Sequence, residues 1–134
     1  MDFVCGEEYK PLIPDGTYQA QCIRYDESFC LGKARKLFLH FRIVESEKYH
    51  GQTIFMPFNM PYDKRIKQGS KYYKTWVQVN GYQKPSRNAT MSPRLFKNKV
   101  FQVRTRTVKP KNATKEMPKQ FWYSVVDSIV EVLA

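Results

Sequence analysis

The chain has 134 residues, of which 42% are hydrophobic and 15% aromatic, and its 23 lysines and arginines against 12 acidic residues give a formal charge of +11. That length and apolar content suit one domain with a single packed core and exclude wholesale disorder, and no run of about 18 apolar residues offers a membrane-spanning helix. The cationic excess costs self-repulsion in a compact chain and points to a polyanionic partner, although charge alone does not separate nucleic acid from an anionic membrane or an acidic protein.

Residues 1–13 read as a mixed lead-in. The stretch MDFVCGEEYKPLIPDG lacks the basic and apolar regions of a signal peptide, so a cytoplasmic protein is expected. The three cysteines, Cys5, Cys22 and Cys30, are odd in number and have no C-x-x-C spacing, which predicts reduced thiols. Pro14-Asp15-Gly16 is a turn signal, and TYQAQCIRY (17–25) alternates as a strand with Cys22 as a small core residue. DESFCLGKAR (26–35) reads as a polar loop hinged at Gly32. In KLFLHFRIV (36–44), Leu37, Leu39, Phe41 and Ile43 make one apolar face, and Phe38, His40 and Arg42 face the other way.

Tyr49-His50-Gly51 turns the chain into a third strand, QTIFMPFNM (52–60), where Pro57 predicts an edge, a bulge or an end. Ser70 is placed to cap a helix over 71–80 that Gly81 stops. On it Tyr73, Trp76, Val77 and Asn80 share a face, and Lys71, Tyr72 and Lys74 are surface candidates. GYQKPSRNAT (81–90) reads as a flexible loop. Ser92-Pro93 marks a short helical turn through Asn98. VFQVRTRTV (100–108) is a strand with Arg104 and Arg106 on one side, followed by a long basic loop over 109–121. For WYSVVDSIVEVLA, a strand from Trp122 to about Val130 is favoured by its Trp, Tyr, Val and Ile content, although Val125, Ile129 and Val132 also fit a helical stripe. Two sequons, at Asn88 and Asn112, mean little without a secretory route.

The expected fold is therefore mainly β, a single domain over 1–134: a five-stranded OB-fold, a Greek-key barrel with a helix between strands 3 and 4. In that fold single nucleic-acid strands cross the face of strands 2 and 3, gripped by the loops joining strands 1–2 and 4–5.

PDGTY (14–18), LFLHFRIVES (37–46) and YHGQTIFMPFNM (49–60), in that order, resemble a diffuse group of OB-fold proteins encoded by phages and other mobile elements. The resemblance covers about the first half of the chain. It implies binding of single-stranded DNA in replication or recombination, with self-association or contacts to replication and recombination proteins as further partners. Bacterial single-strand-binding proteins end in an acidic recruiting tail; DSIVEVLA, with only Asp127 and Glu131 acidic, departs from that pattern.

Three constellations carry the functional reading. The first is cationic: Arg104 and Arg106 lead into Lys109, Lys111, Lys115 and Lys119, where phosphates would relieve the repulsion of two arginines at i, i+2. The bland alternative is a charged edge that discourages sheet-to-sheet association. The second is Phe38, His40 and Arg42, since nucleobases stack on exposed rings and guanidinium groups. Packing of Phe38 against the N-terminal segment or a dimer partner is the competing explanation. The third is Lys71, Tyr72 and Lys74, with Lys84 and Arg87 in the loop beyond and Lys33 and Arg35 in the loop before strand 2.

No Gly-rich phosphate loop, H-E-x-x-H, paired cysteines or nucleophile elbow occurs, and Asp15, Asp26, Asp63 and Asp127 are scattered singly, so neither an enzyme nor a cofactor or metal is expected. The sequence thus reads as a non-sequence-specific single-stranded DNA-binding protein. RNA is the alternative ligand, and a protein-interaction or inhibitor module with an acidic partner is the alternative of a different class.

Overall fold

The computed structural model describes residues 11–30, 34–61, 63, 65–112 and 115–134. Its strands in chain order are β1 (Thr17–Cys30), β2 (Ala34–Glu45), β3 (Thr53–Met60), β4 (Val100–Val108), β5 (Lys111–Asn112), β6 (Lys115–Glu116) and β7 (Tyr123–Val132). One α-helix, α1 (Lys71–Val79), lies between β3 and β4. The five long strands follow one another as β1-β2-β3-β7-β4, and β4 pairs back along β1 to give a barrel-like ring. Neighbours are antiparallel except β3 and β7, which meet in parallel at one pair, Phe55 with Val125. No helix among the described residues is long and apolar enough to cross a membrane.

Period-2 alternation builds the interior. Leu37, Leu39, Phe41 and Ile43 of β2 all point inward and are buried, as the sequence pattern predicts. Ile54, Met56 and Phe58 of β3, Phe101 and Val103 of β4, and Val126 and Ile129 of β7 join the same cluster, with Phe41 and Phe101 meeting edge to face at 5.9 Å. Cys22 lies in the same cluster, and burial pushes its thiol up to about 12, so it stays protonated and inert at neutral pH.

The helix closes one end of the ring. Ser70 Oγ accepts from Tyr73 N at 3.2 Å, and Gly81 takes the left-handed conformation (φ +70°) just past the last turn, as expected from both residues. The buried face is one residue off the expected one: Tyr72, Thr75, Trp76 and Val79 face inward at i, i+3, i+4 and i+7. Tyr72, expected at the surface, sits edge to face on Phe58 at 5.4 Å, and its hydroxyl donates to Met91 O at 2.7 Å. That carbonyl lets a tyrosine be buried without an unmet polar group.

At the other end the lead-in stitches β4 and β7 together. Ser124 N donates to Pro11 O, Ser124 Oγ accepts from Ile13 N and donates to Ile13 O, and Thr105 Oγ1 accepts from Gly16 N. These bonds satisfy the buried hydroxyls of Ser124 and Thr105.

Three expectations are corrected. Residues 26–30 and 34–35 are not loop but the distal part of a β1–β2 ribbon, in which Asp26, Glu27 and Ser28 pair with Phe38, Leu37 and Lys36. Backbone pairing against a well-formed partner strand outweighs their polarity, which the solvated side of a ribbon tolerates. The basic loop 109–121 carries its own small hairpin, β5 with β6, and a 3-10 turn at Lys119–Phe121. The helical turn after Ser92 stops at Leu95 rather than continuing to Asn98, which takes φ +68°. Of the outcomes expected at Pro57, an end is not found, since β3 runs on to Met60 against β2, and an edge is. β7 pairs with β3 only at Phe55, so no second ladder at Pro57 needs its missing N–H.

Candidate nucleic-acid interface

The alternation that buries the core leaves a second row of side chains on the outside of the ring. Register aligns Arg24 of β1 with His40 of β2, His40 with Phe55 of β3, Phe55 with Val125 of β7, and Val125 with Arg106 of β4. This row crosses all five strands, about 19 Å at the usual strand spacing. It is cationic at both ends and apolar in the middle.

The middle is an aromatic platform. Phe38 meets Phe55 edge to face at 5.4 Å, and Phe55 meets Tyr123 at 5.9 Å with the planes 31° apart. All three rings are partly open to solvent. Val125, beside Phe55 on the same outer side by register, is 1% exposed and lies outside the core cluster, so the row is itself covered at that point. Phe38 thus stands opposite the core, where strand parity puts it.

Polar groups border the platform on both sides. On the β1 side, His40 Nε2 lies 2.9 Å from Asp26 Oδ2, and Arg24 Nη1 lies 3.4 Å from the same oxygen. Arg42 is exposed further along β2. On the β4 side, Arg104 and Arg106 are exposed, and Arg106 Nε donates to Asp127 Oδ1 at 2.9 Å. Lys71, at the start of α1, holds its ammonium 5.9 Å from the centre of the Phe58 ring. Burial lowers its pKa; nearby Asp127 opposes the shift and Arg106 adds to it. Beyond β4, Lys109 stacks over the Trp122 ring at 4.5 Å, and Trp122 Nε1 donates to Met117 O at 3.0 Å. This anchors the root of the β5–β6 arm, on which Lys111 and Lys115 are exposed.

The remaining expected residues divide by position. Lys74 is exposed on the helix, and Lys84 and Arg87 are exposed in the turn region after it. Arg35 lies on β2 with its Nε 3.5 Å from Glu27 and most of its side chain covered, so it is part of the ribbon rather than an open cation. Tyr72 is core, as described. Lys33 lies outside the described residues.

Phe55, Tyr123, Trp122, Arg24 and Asp26 were not singled out by the sequence reading. Phe55 was within reach of the alternation, because Ile54, Met56 and Phe58 on the inner side force it outward. Tyr123 and Trp122 gave no such signal, since the last segment fits two periods. Among the described residues no group of three metal-ligating side chains gathers at one point. No protein-family model matches the chain, and no curated protein matches it at a significant level.

Proposed function

We propose that the protein is an OB-fold that binds single-stranded DNA with little sequence preference, serving replication or recombination of a phage or other mobile element from the cytoplasm. One observation carries the reading: the outer row Arg24–His40–Phe55–Val125–Arg106, with Phe38 and Tyr123 flanking its centre. A single strand needs both of the things this row combines. Rings take the faces of unpaired bases, each worth about 1–3 kcal/mol, and cations at the margins take phosphates. A duplex hides its base faces in the stack, so the platform has nothing to grip there. The ring order, the parallel meeting of β3 with β7 and the helix between β3 and β4 support the OB-fold. The resemblance over residues 14–60 supports the biological setting. The β5–β6 arm lies between β4 and β7, where such folds carry a gripping loop.

Fluorescence anisotropy with single-stranded DNA, duplex DNA and single-stranded RNA of equal length tests the reading. Single-stranded DNA should bind most tightly, with affinity falling log-linearly as salt rises and several counterions released. A flat salt dependence, or no binding to a long oligonucleotide at low salt, would overturn it. Equal or tighter binding of RNA would move the assignment to that ligand.

A further inference from the structure

We infer that Asp26 makes one position of the bound strand a guanine-preferring subsite; the inference rests on the single-strand reading above. A carboxylate on a polyanion-binding face needs an explanation, because it repels every phosphate that passes. Asp26 is half exposed on the outer side of β1, directly opposite Phe38 in the β1–β2 register. Cross-strand partners of this kind hold their Cβ atoms about 4.5–5.5 Å apart. A base lying on the Phe38 ring therefore presents its edge to the Asp26 carboxylate.

An ionised carboxylate only accepts hydrogen bonds. Guanine offers it two adjacent donors on the Watson–Crick edge, N1–H and the 2-amino group. Adenine, cytosine and thymine each place an acceptor beside their donor, and that lone pair meets a carboxylate oxygen with like charge. His40 and Arg24 approach Oδ2, and no bond to Oδ1 is seen among the described residues. The two neighbours fix the carboxylate's orientation while leaving acceptor capacity on both oxygens. Unpaired bases on ring platforms are commonly read in this way, by hydrogen bonds on their Watson–Crick edges. The rest of the face, with rings and cations alone, stays tolerant of sequence.

The test compares an oligo-dT strand with the same strand carrying dG at every third position, and with deoxyinosine in place of each dG, which removes the 2-amino donor. The native protein should bind the dG strand about five- to tenfold more tightly than oligo-dT, the low end expected of a two-bond contact at an exposed site. The inosine strand should fall between them. In Asp26→Asn the dG advantage should vanish, while oligo-dT binding holds or tightens because a negative charge has left the face. His40→Ala should keep the advantage. If Asp26 only positioned His40, Asp26→Asn and His40→Ala would weaken both strands alike, and the inference falls. It falls equally if the native protein shows no dG preference while oligo-dT binds. If none of the strands binds to the native protein, the single-strand reading fails, and the subsite with it.

Discussion

Leu39 is fully buried in the ring, whereas Phe38 keeps part of its ring open and meets Phe55 of the outer row edge to face. Leu39→Ala should therefore destabilise the fold by about 2–5 kcal/mol, read from denaturant or thermal unfolding. Phe38→Ala should cost much less stability, though some, because its edge-to-face contact with Phe55 is lost. It should remove about 1–3 kcal/mol of single-strand binding, with a smaller loss on duplex. The reverse pattern, a silent Leu39→Ala and an unfolded Phe38→Ala, would mean the proposed face is core. At this scale the sequence was legible wherever alternation was strict. β2 reads L-F-L-H-F-R-I, and every inward residue is inward. Tyr72 was not legible, because KYYKTWVQV fits two helical faces one residue apart. The choice between them depends on Phe58 and the Met91 carbonyl, which come from distant parts of the chain.

Two elements differ from their sequence signatures for opposite reasons. The distal β1–β2 ribbon is written in loop-like residues, yet pairing with β2 extends β1 as far as Cys30. Hydrophobic pattern is weak there because Asp26 and Glu27 are exposed and leave little apolar alternation to read. The basic stretch after β4 was read as a long loop, but Lys109 packs on Trp122 and the β5–β6 hairpin folds beyond it. The pairing of Lys111 with Glu116 is a two-residue contact that no period could reveal. Replacing Lys109, Lys111 and Lys115 together by Ala should weaken binding about equally for all sequences and shallow the salt slope by about three ions at most. The melting temperature should change little, since all three side chains are exposed and only Lys109 has a ring beneath it. Unaltered affinity and salt slope in the triple variant would remove the arm from the interface. Helix α1, by contrast, was legible at both ends, because Ser70 and Gly81 act on the backbone within one turn of themselves.

Taken whole, the ring is unevenly closed. β1 with β2, β2 with β3 and β4 with β7 share long antiparallel ladders and β1 with β4 a shorter one, while β3 and β7 share a single pair. The order of the long strands and the helix could be read from turn and cap residues along the chain. This seam could not, because it joins residue 55 to residue 125 and depends on how far the whole sheet curls. Phe55 belongs to that pair, and its ring meets Tyr123 from the other side of the join. A base lying across both rings would therefore tie the two edges together from outside, much as a clasp ties an open bracelet. Amide protons near Phe55 and Val125 should exchange with deuterated solvent faster than those of the β1–β2 ladder in the free protein. Adding a saturating single strand should slow them more than it slows any amide of β1. The place where the ring is most easily parted would then be the place that occupancy by ligand holds shut.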